Sequence, residues 1–305
     1  MQENVLKWIG GKHTLGEWLI KRMPPHSTYV EVFMGGGNIF LQKPLAKVNV
    51  VNDLNGNLVN MYKVINHEVK KDLLKHKFDN VLYDRNMFEF FLELYKNNNI
   101  SYLKANDVER AFIYIYLNRT SFNGMMQSYA RRDDPTVLYT LDSIIEKMYK
   151  KFQAGRTVIE KLPFEELLAE MNWTNNPPTV TQLKYDRQDV FIYLDPPYWV
   201  TTEAQGSSYY EKVMKQSEHT LLKDIMIKHK RAKFMISYDD HPMVRMLYKL
   251  PREGENVLSD YEGIRGVLTP NTFQSSGSLA EGESIFKREL VITNYDTNIT
   301  GTMFE

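Results

Sequence analysis

Over the first 66 residues, the spacing of apolar positions switches between the period of a β-strand and that of an α-helix. Thr28–Phe33 and Lys47–Asn52 are β-rich runs, whereas Asn55–Asn66 carries apolar residues at helical spacing. Helix signals at Thr14–Met23 and Asn38–Gln42 complete the series. This order of elements predicts a βαβ unit, and therefore a parallel sheet: strand, glycine turn, helix, strand, acid and helix.

The middle of the chain, about 67–155, has a different pattern. It is mostly helical, with the clearest segments at Asn86–Lys96, Val108–Leu117 and about Leu141–Phe152. A polar stretch, Asn118–Thr136, interrupts these helices. We therefore expect residues 67–155 to form an insertion or smaller second lobe.

The strand and helix alternation resumes near Arg156. Val190–Leu194 is a continuous apolar run, which is typical of a strand buried on both faces. The other predicted elements are strands at Thr157–Glu160, Ala232–Ser237 and Glu289–Thr293, helices at Pro163–Met171, Ser217–His229 and Pro242–Tyr248, and a Ser/Gly-rich loop at Gln274–Ser284. Residues 1–66 and 156–305 should thus build one α/β domain, whose sheet Glu289–Thr293 closes.

Composition narrows the candidate chemistry. Among the 305 residues, 38 basic and 38 acidic side chains give a formal charge of zero, so any nucleic-acid surface must be a local basic patch. The absence of cysteine excludes disulfides, thiolate metal sites and thiol nucleophiles. The seven histidines lack metal-ligand spacing, so we expect no metal. With neither a secretory signal nor a run of ~20 apolar residues, we expect a cytoplasmic protein without a membrane partner.

The tetrapeptide Asp195-Pro196-Pro197-Tyr198 directly follows the buried run VFIYL. One interpretation is a strand that ends in a proline turn. The carboxyl end of a strand in an open α/β sheet is also where ligands bind. An exocyclic base amine is a poor nucleophile, and Asp195 and the Pro196 carbonyl can each accept one of its N–H groups. Tyr198 offers a flat face for a base extracted from a helix.

A second motif, Phe33-Met34-Gly35-Gly36-Gly37, lies between a predicted strand and a predicted helix. Glycines there allow close approach of a ligand to the backbone. Asp53 ends the next strand 18 residues after Gly35, close to the ~20-residue spacing at which an acid meets a ribose. Position 40 is Phe40, so the dinucleotide fingerprint is incomplete and a nucleoside without pyrophosphate fits better than NAD.

The segment Lys7-Trp8-Ile9-Gly10-Gly11-Lys12 is a third motif. It is either functional or a terminus with a packed tryptophan.

In this order the motifs resemble those of the Dam-like, D12-class DNA adenine-N6 methyltransferases. Asn52–Asn55, Leu117–Gly124, Ile236–His241 and Glu289–Tyr295 also resemble family blocks, so the resemblance covers nearly the whole chain. It implies a Rossmann-like, mostly parallel sheet of the class I methyltransferase type with helices on both faces. A smaller, mainly helical DNA-recognition lobe would correspond to 67–155.

The resemblance also implies S-adenosylmethionine as the methyl donor, DNA as the substrate and base flipping before transfer. Residues that match the family's catalytic tetrapeptide are Asp195, Pro196, Pro197 and Tyr198. Those that match its cofactor contacts are Trp8, Lys12, Phe33, Gly35, Gly36, Gly37, Asp53 and Asp195. Candidate DNA contacts are Lys7, Asn118, Arg119 and Asn123, together with Arg131 and Arg132, which are equally well read as a solvated charge cluster. Phe122 belongs to the same family element as Asn118.

Three matters stay open at this stage. Cytosine-N4 methylation uses the same chemistry, and a non-catalytic DNA-binding subunit on this fold is a further alternative. The segment after Gly124 departs from the relatives, so no recognition sequence is assigned. A cognate restriction enzyme is a candidate partner, and no oligomeric state is assigned. Trp199, Tyr209 and Tyr210 follow the tetrapeptide and are expected to form a lid over the extracted base, with simple packing as the alternative.

Overall fold

The computed structural model of the 305-residue chain describes most of the sequence. The described residues are 4–8, 11–12, 14–96, 105–130, 138, 140–199, 214–252, 254, 256–259, 261, 263–270, 272–274 and 285–297. Within these ranges no helix combines the length and apolar character required to span a bilayer.

The described elements alternate along the chain. The helices are α1 (Gly16–Ile20), α2 (Asn38–Gln42), α3 (Gly56–Ile65), α4 (Glu68–Asp79), α5 (Arg85–Lys96), α6 (Asp107–Thr120), a 3₁₀ turn (Phe122–Gly124), α7 (Leu141–Gln153), α8 (Phe164–Leu168), α9 (Gln216–Met226) and α10 (Pro242–Leu247). The strands are β1 (Thr28–Glu31), β2 (Val48–Asn52), β3 (Arg156–Glu160), β4 (Ala169–Asn172), β5 (Thr179–Leu183), β6 (Val190–Leu194), β7 (Lys233–Asp239), β8 (Asn256–Leu258), β9 (Arg265–Leu268), β10 (Thr272–Gln274), β11 (Ile285–Lys287) and β12 (Glu289–Thr293).

The first of two compact units comprises Met1–Lys12 and Met34–Lys161, and so contains the whole segment 67–155. Its strands β2 and β3 pair in parallel, and α3 packs against α4 and α6. The ring of Phe152 on α7 lies 5.5 Å from that of Phe40 and 6.0 Å from that of Tyr62. These rings are buried, which joins α2, α3 and α7 in one aromatic core.

The second unit comprises His13–Phe33 and Leu162–Glu305. Its main strands lie in the order β1-β6-β7-β12-β9-β8, while β4–β5 and β10–β11 are separate two-stranded pairs. The pairs β1–β6 and β6–β7 are parallel, whereas β12 is antiparallel to both β7 and β9. Every residue of β6 is buried, as its unbroken apolar sequence predicts.

The parallel half of this sheet sets up one edge for a site. Glu31 at the end of β1 is in register with Tyr193 of β6, and the Val32 N–H donates to the Tyr193 carbonyl at 3.0 Å. The carboxyl ends of β1 and β6 therefore lie side by side. Phe33 and Asp195 leave the sheet next to each other, at the edge where open α/β sheets bind ligands.

The expected mixed α/β fold is confirmed, with two local differences. The helix predicted over Pro163–Met171 ends at Leu168, because the backbone of Ala169–Asn172 pairs with Thr179–Leu183 instead. Glu289–Thr293 is a strand but does not close the sheet, since Arg265–Leu268 pairs along its other side. In both places, pairing with another segment outweighs the local pattern.

Candidate functional site

Asp53 directly follows β2 and binds the first residue of the segment Gly35–Gly37, which we call the glycine loop. Its Oδ2 accepts the Gly35 N–H at 2.7 Å, and its Oδ1 accepts the Asn55 N–H at 2.8 Å. The carboxylate is half-buried, so its orientation is fixed while part of its surface stays accessible. Gly35 has a φ of +48°, which favours glycine.

The indole of Trp8 packs directly on this loop. A Cβ placed on Gly35 would lie 2.8 Å from Trp8 Nε1, and one on Gly36 would lie 2.7 Å from Trp8 Cβ. Either contact is too close for a real side chain, so the glycines are required for the tryptophan to lie there. Gly37, with a φ of +73°, starts α2. Lys12 is only 3% exposed in the same unit.

Two further side chains hold the loop and were not predicted. The Tyr62 hydroxyl on α3 donates to the Gly35 carbonyl at 2.5 Å, and the Asn4 side chain donates to the Gly36 carbonyl. Tyr62 is completely buried. The helical spacing of Tyr62 was visible in the sequence, but nothing local distinguishes it from a core residue.

The Asp-Pro-Pro-Tyr turn lies in the second unit, directly after β6. Asp195, Pro197 and Tyr198 are half-buried and Pro196 is buried, so the end of the strand is not sealed inside the protein. Phe33, from the neighbouring strand end, lies with its ring 6.0 Å from that of Phe164. The sequence prediction placed Phe33 in a ligand pocket and did not identify Phe164.

The environment of Tyr198 keeps its phenol protonated. Burial raises the pKa of Tyr198 well above its ordinary value of 10, and the negative charges of Asp195 and Glu289 add to this effect. The hydroxyl donates a hydrogen bond to the Glu289 side chain, which raises the pKa further. Tyr198 can therefore offer a flat aromatic face and a fixed position, but not a phenolate base.

A second acid holds the backbone after the turn. The Trp199 N–H donates to Asp239 Oδ1 at 3.0 Å, at the end of β7. The Trp199 ring lies 5.0 Å from that of His219 and 6.3 Å from that of His241, and is 4% exposed. The prediction that Trp199 forms a lid is therefore wrong, because the indole is a buried packing group. Tyr209 and Tyr210 lie outside the described residues.

Asp239 and Glu289 are neighbours in the sheet, although they are far apart in sequence. They are directly opposite each other in the antiparallel register of β7 and β12. A rule that looks for acids at strand ends would have found Asp239. Glu289 begins its strand, and only the register of the sheet brings it to Tyr198.

The predicted DNA contacts in the first unit separate into buried and exposed groups. Asn118 is 2% exposed, and its side chain bonds to the backbone of Lys7 and Gly124. This gives Asn118 a positioning role rather than a surface for DNA. Asn123 is exposed in a left-handed conformation with a φ of +50°, and the neighbouring Phe122 is 50% exposed. Arg131 and Arg132 lie outside the described residues.

Two cationic side chains, Lys7 and Arg119, lie next to the 3₁₀ turn Phe122–Gly124. Lys7 Nζ donates to the Arg119 carbonyl at 2.7 Å, and the Arg119 guanidinium donates to the Asn4 carbonyl at 3.3 Å. Both side chains are half-buried. The first unit therefore brings together Trp8, the glycines and Asp53, and separately Lys7, Asn118 and Arg119. No metal-binding group of three or more His, Cys, Asp or Glu occurs within the described ranges.

Comparisons with known proteins identify the family to which the chain is similar. A family model described as D12 class N6 adenine-specific DNA methyltransferase matches residues 8–260. The DNA N-6-adenine-methyltransferase of Escherichia phage P1 is 26% identical over 256 residues, which cover 81% of this chain but 31% of that protein. The present chain thus spans about a third of the length of that relative.

Other relatives match over most of their own length. The DNA adenine methylase of Vibrio cholerae serotype O1 is 27% identical over 252 residues, covering 81% of this chain and 85% of that protein. The type II methyltransferase M1.LlaDCHI of Lactococcus lactis subsp. cremoris is 26% identical over 260 residues, covering 80% and 83%. The solved rRNA methyltransferase aviRa from Streptomyces viridochromogenes aligns over 93% of this chain with a TM-score of 0.34 and 11% identity, too weak to carry an argument.

Proposed function

The chain belongs to the D12 class of N6 adenine-specific DNA methyltransferases, and on that premise we propose how its residues carry the reaction. A methyl group passes from S-adenosylmethionine to the N6 amine of an adenine that has been extracted from DNA. The observation that carries the proposal is the Asp-Pro-Pro-Tyr turn. It follows a fully buried strand, keeps Asp195 partly accessible, and has Tyr198 tied to Glu289.

The residues of the first unit fit a methyl-donor nucleoside. Gly35 and Gly36 leave no room for a Cβ beside Trp8, so backbone and indole form a tight wall that would hold a flat ligand. Asp53 is half-buried and oriented by two backbone N–H groups, as an acceptor for ribose hydroxyls would be. When bound, the donor supplies a methyl carbon made electrophilic by a sulfonium. Trp8, Lys12, Gly35, Gly36, Gly37 and Asp53 would hold it, and the contact expected of Phe33, in the second unit, stays a prediction.

The turn after β6 activates the amine. The nitrogen lone pair of adenine N6 is delocalised into the ring, so the amine attacks poorly until its geometry changes. Asp195 and the Pro196 carbonyl each accept one N–H, which draws the nitrogen toward a tetrahedral arrangement. Positive charge that develops on the nitrogen during attack is stabilised by the same two acceptors, as developing negative charge is stabilised in an oxyanion hole.

Tyr198 positions the base rather than moving a proton. Its raised pKa keeps the hydroxyl protonated, and the hydrogen bond to Glu289 restricts rotation of the ring. A base stacked on that ring would present its exocyclic amine to Asp195. The gain in rate then comes mainly from alignment of the amine with the methyl carbon.

The 3₁₀ turn of the first unit is the proposed contact with DNA. Phe122 and Asn123 are exposed on it, and Lys7 and Arg119 supply positive charge close by. An exposed aromatic ring can stack on an unpaired base, and cations bind the phosphates. Arg131 and Arg132 stay predictions, as do a cytoplasmic location and a cognate restriction enzyme.

One experiment tests the reaction and its alternatives. The chain is expressed in a host that lacks adenine methylation, and modified bases are mapped by single-molecule sequencing. N6-methyladenine at a recurring sequence is expected, and the map also supplies the recognition sequence. N4-methylcytosine would support the cytosine alternative. Binding of DNA without any modified base, in cells that contain the methyl donor, would support a non-catalytic subunit.

A further inference from the structure

The side chain of Asn118 holds the backbone near the start of the described chain. Its Oδ1 accepts the Lys7 N–H at 2.8 Å, and its Nδ2 donates to the carbonyls of Lys7 and Gly124, each at 3.0 Å. An asparagine amide has two N–H donors, and here both are used by backbone carbonyls. A buried side chain with this bonding fixes the position of Lys7 rather than reading a base.

The approach between the turn and Lys7 is also unusually close. A Cβ on Gly124 would lie 2.5 Å from the Lys7 carbonyl oxygen and 2.8 Å from Lys7 Cβ, so only glycine fits. We call residues 4–8 the N-terminal strap. The turn that carries Phe122 and Asn123 is thus in direct van der Waals contact with the strap.

The strap reaches the glycine loop by two routes within the same unit. Lys7 is followed by Trp8, whose indole packs on Gly35 and Gly36. In the second route, the Arg119 guanidinium donates to the Asn4 carbonyl at 3.3 Å. The Asn4 side chain in turn donates to the Gly36 carbonyl and lies 3.4 Å from Asn38 Oδ1. Both routes begin at the end of α6 and end at the loop that Asp53 holds.

We infer that the N-terminal strap couples DNA binding at the Phe122–Gly124 turn to methyl-donor binding at the glycine loop, with Asn118 and Asn4 as positioning residues. DNA that fixes the turn fixes Lys7 and Asn4, and hence Trp8 and the Gly36 carbonyl, in the arrangement that receives the donor. Coupling of this kind is reciprocal, so the donor tightens DNA binding by the same factor. The inference rests on the proposed function, because it requires both ligands.

The experiment measures the dissociation constant of S-adenosylhomocysteine by calorimetry. This product of the reaction leaves the DNA unmethylated. Each protein is titrated with and without a duplex fragment of plasmid DNA from a host that lacks adenine methylation, and the ratio of the two constants gives the coupling. The proteins compared are the wild type, Asn118→Leu, Asn4→Ala and the control Asn60→Ala. Asn60 also donates its Nδ2 to a backbone carbonyl, that of Asp107 at 2.8 Å, and its Oδ1 accepts from the Arg110 guanidinium, so both of these hydrogen bonds lie outside the strap.

For the wild type we expect S-adenosylhomocysteine to bind at least about fivefold more tightly when DNA is present. Asn118→Leu and Asn4→Ala should bring the ratio close to one, whereas Asn60→Ala should keep the wild-type ratio. A variant that had merely unfolded would bind neither S-adenosylhomocysteine nor DNA. A ratio near one in a variant that still binds both ligands therefore reports loss of coupling. If Asn118→Leu does not fold, Asn4→Ala, which alters a partly exposed side chain, decides the matter.

The outcomes separate the two proposals. A wild type that binds both ligands with a ratio of one overturns the coupling and leaves the proposed function intact. Strap variants that keep the wild-type ratio also overturn it. A wild type that binds neither S-adenosylhomocysteine nor DNA overturns the proposed function, and the coupling with it.

Discussion

Asp239 and Glu289 lie directly opposite each other on β7 and β12, and each holds one residue of the segment that follows Asp195. Asp239 accepts the Trp199 N–H, and Glu289 accepts the Tyr198 hydroxyl. Neighbouring strands thus clamp the turn from one side. Asp195, the carboxylate of the turn itself, is half-buried and keeps part of its surface accessible.

Replacement of Asp195 should stop methyl transfer in a folded protein. Asp195→Ala removes one of the two acceptors for the amine, and we expect the transfer rate to fall by at least about a hundredfold. The measurement is single-turnover methyl transfer to unmethylated DNA, with circular dichroism to verify the fold.

The same strand offers a matched control for this substitution. Asp189 precedes β6 at its opposite end, where it accepts the Ser27 hydroxyl at 2.6 Å and pairs with Arg187 at 3.1 Å. Asp189→Ala should keep the wild-type transfer rate. Near-normal turnover by Asp195→Ala would rule out the proposed role of that carboxylate.

Loss of the Asp53 carboxylate should weaken methyl-donor binding. Asp53→Ala removes the acceptor proposed for the ribose and releases the Gly35 N–H, and we expect a loss of about 1–3 kcal/mol in binding free energy. Calorimetry with S-adenosylhomocysteine measures it. The control is Asp72→Ala, since the Asp72 side chain is 61% exposed on α4 and forms its ion pair with the buried Lys71 of the same helix. Equal affinities in the two variants would contradict the ribose role.

Phe122 should contribute to DNA binding but not to donor binding. If its exposed ring stacks on a base, Phe122→Ala should weaken binding to duplex DNA by about 1–3 kcal/mol, measured by fluorescence anisotropy. The control is Phe90→Ala, because Phe90 is 55% exposed on α5 of the same unit. Binding by the wild type should also weaken steeply as salt rises, since cations contact phosphates. Equal DNA affinities in the Phe122 and Phe90 variants would exclude the stacking role.

Stability of the second unit should depend on pH through His219. Burial lowers the pKa of His219 from 6.5 to about 4, and its Nδ1 is paired with the Tyr238 hydroxyl at 2.9 Å. The unfolded chain therefore takes up a proton near pH 6.5 that the folded protein refuses until about pH 4. Stability is complete above pH 6.5 and declines as pH falls from there toward 4.

Between pH 7.5 and pH 5 this residue alone should cost about 2 kcal/mol of unfolding free energy, measured by urea denaturation. His219→Gln has no titrating group at this position, so its stability should change less over the same interval. An identical pH dependence of wild type and variant would show that folding does not lower the pKa of His219.

The sequence was most informative where the determinants are local. VFIYL is apolar throughout because β6 is buried on both faces, and a proline turn must follow it, so Asp195 was correctly expected at a strand end. The glycines and Asp53 were likewise expected after successive strands, and the structure adds a hydrogen bond from the Gly35 N–H to Asp53. Features that depend on pairing between distant segments were missed. The strand Ala169–Asn172 and the contact of Glu289 with Tyr198 are of this kind.

Asn118 illustrates a different limit. Asn118 was expected to contact DNA because it lies in a block that resembles the family's recognition element. The structure instead turns this side chain inward to Lys7 and Gly124, which its sequence neighbourhood does not reveal. The motif drew attention to Asn118, while its burial gives it a positioning role.

The turn at Phe122–Gly124 has one face that anchors it and another that meets solvent, and this division bears on how specificity evolves. Gly124 and Asn118 hold the anchoring face, whereas Phe122 and Asn123 project outward. Under the proposed contact with DNA, a change of target sequence would arise at the outward positions without loss of the scaffold. Randomised libraries that aim at new target sequences should vary those two positions and leave the anchors unchanged.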